Sequence, residues 1–323
     1  MRKKVWMEWP LPPALISRLS ALAEVVTDGD LDKLPGSDVI SGIGRYYDGQ
    51  LMDRVGPNLK QIAKPGIGLD NIDLDAASAR GILVCNTPDA PSESTAEHAV
   101  ALLMAVAKRV MVGDTQIRAG EGIERSDLQG TELLGRSLGI VGYGRIGRRV
   151  AEICAQGIRM NVMVYDPILP EDFVMPKGVA RADDPDTIFS QNRFVTLHTP
   201  LLPSTRHLAN ERRLRLMRPG SYLINASRGG VVDEAALIKV LLEGHLAGAG
   251  LDVFDPEPPL ADNPLLKMRN VVLTPHIASN TDAGIDLMQA GTAENIERVL
   301  LGERPTWIAN PEVWPGRMAQ AGG

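Results

Sequence analysis

Three polar residues stand out because each falls just beyond a run that reads as a β-strand. Arg228 follows Tyr222-Leu223-Ile224, inside Asn225-Ala226-Ser227-Arg228-Gly229-Gly230. Glu257 lies beyond Ala249-Gly250-Leu251, in Asp252-Val253-Phe254-Asp255-Pro256-Glu257-Pro258-Pro259. His276 follows Val271-Val272-Leu273, in Leu273-Thr274-Pro275-His276. An imidazole titrates near neutral pH and can take or give a proton. A guanidinium is permanently charged and suits a carboxylate or a carbonyl that must be polarised. Ligands of open parallel sheets bind beyond the carboxyl ends of the strands, so all three side chains can line one crevice. Taken singly, each has a plainer reading as a structural histidine, a surface ion pair or a solvated loop acid. His98, His198, His207 and His245 are read as structural.

A second signal precedes these residues. Leu138-Gly139-Ile140-Val141-Gly142-Tyr143-Gly144-Arg145-Ile146-Gly147 reads as strand, glycine turn and helix start, with Gly142, Gly144 and Gly147 in G-x-G-x-x-G spacing. The first glycine permits the tight turn, the second lets a pyrophosphate approach the backbone, and the third lets the helix pack on the strand. A helix beginning near Arg145 aims its N–H groups and positive dipole end at phosphates. Asp166 ends the next strand and can accept hydrogen bonds from the adenosine ribose hydroxyls. A carboxylate there repels a 2′-phosphate, which favours NAD over NADP. A methyl donor such as S-adenosylmethionine uses a related turn but needs no pyrophosphate cradle.

These residues must be positioned by a framework, and short β-rich runs alternate with helix-length segments along the chain. The strand candidates are Val5–Met7, Glu24–Val26, Val39–Ser41, Gln61–Ala63, Ile82–Val84, Leu138–Val141, Val162–Tyr165, Val195–Leu197, Tyr222–Ile224, Ala249–Leu251 and Val271–Leu273. Helical segments include Ser92–Arg109, Ile146–Gln156 and Glu234–Glu243. This alternation predicts an α/β fold with parallel sheets covered by helices on both faces. A length of 323 residues suits about two domains. All four tryptophans (Trp6, Trp9, Trp307, Trp314) lie near the ends, which suggests that both ends fold into one domain around an inserted one.

Composition narrows the function classes. The chain is 44 % hydrophobic and 23 % charged, as a globular protein is. Its net charge of −6 argues against nucleic acid as the main partner. The apolar run Ala99–Ala107 is too short to span a bilayer, so no membrane partner is expected. Met1-Arg2-Lys3-Lys4 is basic, but Glu8 and Pro10 break up the stretch after it, so export is not expected. Cys85 and Cys154 are the only cysteines, which excludes a disulfide scaffold and a Cys-rich metal site; no metal and a cytoplasmic location are expected. Pro315–Gly323 reads as a frayed tail.

The run Asn225–Asp233, the stretch Asp252–Pro259, the pair Pro275-His276 and the loop Gly142–Gly147 together resemble the D-isomer-specific 2-hydroxyacid dehydrogenase family. The likeness extends from Gly66-Ile67-Gly68-Leu69-Asp70-Asn71-Ile72-Asp73 to about Glu297. Tyr165-Asp166-Pro167-Ile168 and His198-Thr199-Pro200-Leu201-Leu202-Pro203-Ser204-Thr205 are most similar to the branch that acts on D-3-phosphoglycerate. The resemblance implies two Rossmann-like, flavodoxin-like doubly wound parallel-sheet domains with a cleft between them. Residues 1–97 with 289–323 would form the substrate domain and 98–288 the NAD-binding domain, with hinges near 97 and 289.

The activity implied is hydride transfer between NAD(H) and a small 2-hydroxy or 2-oxo acid, with Arg228, Glu257 and His276 as catalytic triad. His276 would exchange the hydroxyl proton, Glu257 would orient its ring, and Arg228 would bind the substrate carboxylate or carbonyl. Arg145 and Ile146 would contact the pyrophosphate, Thr199 and Pro200 the adenosine side, Ala226 and Ser227 the nicotinamide, and Asp252 its carboxamide. Ile67, Gly68 and Leu69 would hold the substrate carboxylate through backbone groups. Lys64 falls where the phosphoglycerate branch carries arginine, and Arg45 is a second candidate cation for a phosphate. Glyoxylate and hydroxypyruvate are alternative substrates, and an NAD(H)-sensing protein without catalysis is the alternative function. A homodimer through the Glu97–Gly135 region is also implied, although the run Ala99–Ala107 reads equally as a buried helix. Asp70, Asn71 and Asp73 read as turn and capping residues.

Overall fold

A computed structural model describes residues 2–120 and 128–314. Pro315–Gly323, the expected tail, lies outside the described residues, as does 121–127 of the expected dimer region. The chain divides into two compact units, Met1–Pro91 with Thr281–Gly323, and Ser92–Asn280. The divisions fall where two long helices begin, whereas the expected positions near 97 and 289 lie inside those helices.

In the first unit β1 (Lys3–Met7), α1 (Pro13–Ser20), β2 (Ala23–Val26), β3 (Val39–Ser41), α2 (Gly49–Val55), β4 (Gln61–Ala63), α3 (Leu74–Ala79) and β5 (Leu83–Cys85) follow one another. The strands pair in parallel in the order β2-β1-β3-β4-β5. Successive strand side chains point to opposite faces, so each strand feeds two cores. Trp6, Ile40, Ile62 and Val84 pack with Met52, Val55 and Ala77 on one face. Val5, Met7, Val39 and Ala63 pack on the other with Leu19, Ile296 and Leu300. Ile296 and Leu300 belong to the helix Asp282–Leu301, so the late segment is part of this core. Asn310 Oδ1 accepts from Val84 N (2.8 Å) and its Nδ2 donates to Ile82 O (2.8 Å), which satisfies the edge strand β5. Asp73 caps α3 by accepting from Ala76 N, in keeping with its reading as a capping residue.

The second unit begins with α4 (Ser92–Ala107) and α5 (Val110–Ala119). Then come β6 (Ser137–Val141), α6 (Arg145–Glu152), β7 (Asn161–Tyr165), β8 (Val179–Arg181), α7 (Pro185–Gln191), β9 (Phe194–Leu197), α8 (Glu211–Leu216), β10 (Ser221–Asn225), α9 (Glu234–Leu242), β11 (Leu246–Leu251) and β12 (Val271–Leu273). These strands form one parallel sheet in the order β12-β11-β10-β9-β6-β7-β8. Ile140, Val162, Phe194 and Ile224 pack with Leu102, Leu103 and Val106 of α4 on one face. Val195, Leu197, Leu223 and Ala249 meet Ile188, Leu214 and Leu237 on the other. Most of the run Ala99–Ala107 is therefore buried in its own unit.

Eleven of these strands coincide with expected runs, give or take their ends. The missed one, β8, is a three-residue edge strand without a fully buried side chain, so it has no apolar signature. The helix expected over 146–156 ends as α-helix at Glu152 and continues as a π-helical turn, Ile153–Ile158. Asp282–Leu301, here α10, completes the α-helices of the described residues. None of the described helices is long and apolar enough to cross a membrane.

Candidate active site

The order of the seven-stranded sheet reverses between β6 and β9, and ligands of open α/β sheets bind at such switch points. The glycine turn follows β6 and Thr199 follows β9, with Thr199 Cγ2 against Gly142. Gly142 has φ +94°, and a Cβ on it would lie 2.5 Å from His198 O. A Cβ on Gly147 would lie 2.0 Å from Gly142 O, so the helix can fold onto the turn only with glycine there. Gly144 is exposed, and a Cβ on it would meet nothing within 4 Å. Among the described residues no side chain caps the start of α6. The Thr199 hydroxyl is buried and unpartnered among the described residues. An open glycine, a bare helix N-terminus and an unpaired hydroxyl beside them fit a dinucleotide phosphate and its attached sugar.

Asp166, at the end of β7, does more than the sequence indicates. Its Oδ2 accepts from Tyr143 N (2.7 Å) and its Oδ1 from Ile168 N (2.9 Å), so it ties the glycine turn to the neighbouring strand. Arg148 Nε donates to Tyr143 O (2.9 Å), and its guanidinium stands over the Tyr143 and Phe173 rings. His198 is partly buried with Nε2 at 3.0 Å from Thr196 Oγ1, and desolvation pushes its imidazole down to about 4, so it is neutral.

Arg228, Glu257 and His276 come together beyond β10, β11 and β12. Asn225, at the end of β10, accepts from Ser227 N (3.0 Å) and Ser227 Oγ (2.8 Å) and donates to Arg228 O (2.9 Å). A Cβ on Gly229 would lie 1.8 Å from Phe254 O, so glycine lets the arginine loop abut the glutamate loop. Glu257 Oε1 meets His276 Nδ1 at 2.5 Å, and Oε2 accepts from Phe254 N (3.2 Å). Burial opposes the charge on Glu257, but the His276 hydrogen bond and charge, the Phe254 N–H and the Arg228 guanidinium hold its carboxyl below the usual range. Arg228 is thus within electrostatic reach of the pair. With Nδ1 engaged, Nε2 is the nitrogen left to exchange a proton with a ligand.

His276 has φ +53°, an uncommon conformation for a non-glycine residue and one that concentrates at functional sites. Asp252 holds it there. His276 N donates to Asp252 O (2.8 Å), Ile277 N to Oδ1 (2.9 Å) and Ala278 N to Oδ2 (2.9 Å). Thr274 Oγ1 adds a 2.6 Å bond to Oδ1, and His98 Nε2 bonds Thr274 Oγ1 at 2.9 Å. The sequence alone does not single out Thr274 and His98 for this site; they lie 22 residues after and 154 before Asp252, and only the fold joins them.

All eleven expected cofactor residues occupy the segments that follow β6, β7, β9, β10 and β11, on one edge of this sheet. Lys64, Ile67, Gly68 and Leu69 follow β4 in the other unit. That loop is held by Gly66 N donating to Thr87 Oγ1 (2.8 Å) and Asn86 Nδ2 donating to Ile67 O (3.0 Å).

Residues 100–278 match the model of the D-isomer specific 2-hydroxyacid dehydrogenase, NAD binding domain. The D-3-phosphoglycerate dehydrogenase of Methanocaldococcus jannaschii is 40 % identical over 78 % of this chain and 48 % of its own length. The glyoxylate reductase of Korarchaeum cryptofilum is 44 % identical over 80 % of this chain and 78 % of its own. Among solved structures, the TT0316 protein from Thermus thermophilus superposes with a TM-score of 0.85 at 36 % identity, covering 95 % of this chain and 99 % of that one. The switch-point glycine turn and the acid–imidazole pair on the same sheet edge thus sit on a dehydrogenase fold. The chain belongs to the D-isomer-specific 2-hydroxyacid dehydrogenase family, and its second unit is an NAD-binding domain. It spans about half the length of the phosphoglycerate dehydrogenase it matches.

Two outcomes are expected. Asp166→Ala weakens NADH binding about tenfold, by roughly 1.4 kcal/mol, and narrows any preference over NADPH; fluorescence titration with both cofactors measures this, and an unchanged preference removes Asp166 from the ribose site. Because the Glu257 carboxyl is held below its ordinary 4.5, it stays ionised as pH falls to that value and loses its charge only below it. The pH profile of kcat/KM, taken from about pH 4 to 8, should show no acid limb above that value that disappears in Glu257→Gln.

Proposed function

We propose that this chain is an NAD-dependent D-2-hydroxyacid dehydrogenase acting on a small 2-hydroxy or 2-oxo acid. The observation that carries the reading is the Glu257–His276 pair with Arg228 in electrostatic reach, on the sheet edge that bears the glycine turn. Gly142, Gly144, Arg145, Ile146 and Gly147 hold the pyrophosphate, Asp166 the ribose, Thr199 and Pro200 the adenosine side, and Ala226, Ser227 and Asp252 the nicotinamide end. When bound, the cofactor supplies the acceptor or donor of hydride at C2 of the acid.

This chain's residues do the rest. In the oxidative direction Nε2 of His276 takes the hydroxyl proton; in reduction it returns a proton to the carbonyl oxygen. Glu257 holds Nδ1, which fixes the ring and stabilises the imidazolium. Arg228 binds the carboxylate or carbonyl oxygen and stabilises the negative charge that develops there. Backbone groups of Ile67, Gly68 and Leu69, with Lys64, hold the substrate carboxylate. Acidic Asp166 favours NAD over NADP. Relatives named for phosphoglycerate and for glyoxylate support both substrates. We also take the chain as a cytoplasmic homodimer. Exposed Val110, Met111, Ile117 and Leu134 in the 97–135 region support the dimer, and the buried free thiols of Cys85 and Cys154 suit a reducing compartment.

The decisive assay is NADH oxidation with a panel of 2-oxo acids: 3-phosphohydroxypyruvate, glyoxylate, hydroxypyruvate and pyruvate. His276→Ala is expected to lower kcat by about 10²–10⁴-fold while NADH affinity holds; equal loss of both would overturn the assignment. Sedimentation equilibrium is expected to return twice the 34.8 kDa chain mass, and a single-chain mass would refute the dimer.

A further inference from the structure

The five-stranded sheet of the first unit has a switch point of its own. Its order reverses between β1 and β3, because the chain runs from β1 to β2 on one side and returns to β3 on the other. The segments that follow β1 and β3 are thus the expected ligand-facing loops of this sheet.

These loops are built around a carboxylate. Glu8, the first residue after β1, has a side chain only 8 % exposed. Its Oε2 accepts from Ile43 N (2.9 Å), Gly44 N (2.7 Å) and Tyr47 Oη (3.4 Å), and its Oε1 from Arg45 Nε (2.7 Å). Burial works against the charge, yet these donors keep the carboxyl below its usual range. The Arg45 guanidinium also lies 5.5 Å from the Trp6 ring centroid. Asn71 Nδ2 donates to Ile43 O (3.3 Å) and Arg45 O (2.8 Å), fixing the loop from the other side. A Cβ on Gly42 would lie 2.0 Å from Tyr47 Oη and 2.5 Å from Glu8 Oε2, so the loop is moulded on this acid.

Two adjacent backbone N–H groups and a guanidinium form a donor set suited to phosphate or a second carboxylate. Here the chain fills that set with its own anion. Arg45, a candidate cation for a substrate phosphate, is engaged by Glu8 instead. The side chains that these loops expose are apolar or neutral: Trp9 (61 %), Ile43 (50 %) and Tyr46 (59 %).

We propose that Glu8 is a specificity-determining residue: by occupying the anion seat after β1 and β3 it restricts the enzyme to 2-oxo and 2-hydroxy monocarboxylic acids with an uncharged substituent. A phosphate or second carboxylate at that position meets a buried negative charge and finds both loop N–H groups and the Arg45 Nε already taken. The proposal rests on the hydride-transfer reading and deepens it, because it selects among the acids that reading admits.

The test uses the full chain with NADH and compares kcat/KM for hydroxypyruvate and 3-phosphohydroxypyruvate, which differ only in the phosphate. The wild-type chain should favour the unphosphorylated acid by about tenfold or more. Glu8→Gln keeps an acceptor for the loop N–H groups, removes the charge and releases Arg45; the ratio should move about tenfold toward the phosphorylated acid. Arg45→Met, which leaves Glu8 charged, should move it the other way, and provides a second reading if Glu8→Gln melts early. A wild-type preference for the phosphorylated acid overturns the proposal while leaving hydride transfer intact. So does a ratio unchanged in Glu8→Gln with an intact melting curve, or in Arg45→Met. Turnover of no acid in the panel, with NADH bound, overturns the hydride-transfer reading and the proposal with it.

Discussion

The grip of Asp252 on the turn that carries His276 is the interaction on which the candidate active site depends. Its carboxylate is fully buried, and an ionised carboxylate without partners in such a place would be prohibitively costly. The cost is met by the Ile277 and Ala278 N–H groups and the Thr274 hydroxyl, while the Asp252 carbonyl takes the His276 N–H. These bonds over-determine the left-handed conformation of His276, which would otherwise be disfavoured. With the backbone fixed, the imidazole reaches Glu257, and Glu257 in turn is steadied by Phe254 N. The acid–imidazole pair is therefore positioned from the end of β11, from which Asp252 springs.

The same device recurs along both sheets. A side-chain acceptor at the end of one parallel strand takes backbone N–H groups from the loop of the strand beside it. Asp252, after β11, holds the loop after β12; Asp166, after β7, holds the turn after β6. Glu8, after β1, holds the loop after β3, and Thr87, beyond β5, accepts from Gly66 beyond β4. The reason is general. Where a parallel strand ends, its ladder ends too, and the N–H groups of the departing loop need acceptors. A carboxylate one strand away supplies two oxygens at the correct height, and it draws the loops of adjacent strands into one surface.

Much of this was legible in the sequence. Val162–Tyr165 and Val195–Leu197 are short apolar runs of the sort that fits a sheet covered on both faces, and they are strands. The glycine spacing marked the switch point because Gly142 and Gly147 each answer a separate steric demand, while Gly144 leaves the turn open. Other features were hidden because their cause is non-local. Arg45 reads as a free cation in one dimension, since its partner Glu8 is 37 residues away. β8 carries no apolar run to betray it. Asp73 is recognisable as a cap because capping is a short-range affair, whereas Thr274 and His98 are invisible because they act through Asp252.

A lone-pair count separates the acids that are closed from those still open to a ligand. A carboxylate has about four acceptor sites. Glu8 already receives Ile43 N, Gly44 N and Tyr47 Oη on Oε2 and Arg45 Nε on Oε1, as many donors as the carboxylate has sites. Asp166 receives only Tyr143 N and Ile168 N among the described residues, one on each oxygen. It can hold the glycine turn and still accept from a ribose hydroxyl, so its structural and ligand roles do not compete. Asp252 is intermediate: Oδ1 is filled by Thr274 and Ile277, while Oδ2 takes only Ala278 N among the described residues. On this count the three acids that look alike in the sequence divide by saturation: Glu8 receives four donors from its own surroundings, Asp252 three and Asp166 two among the described residues.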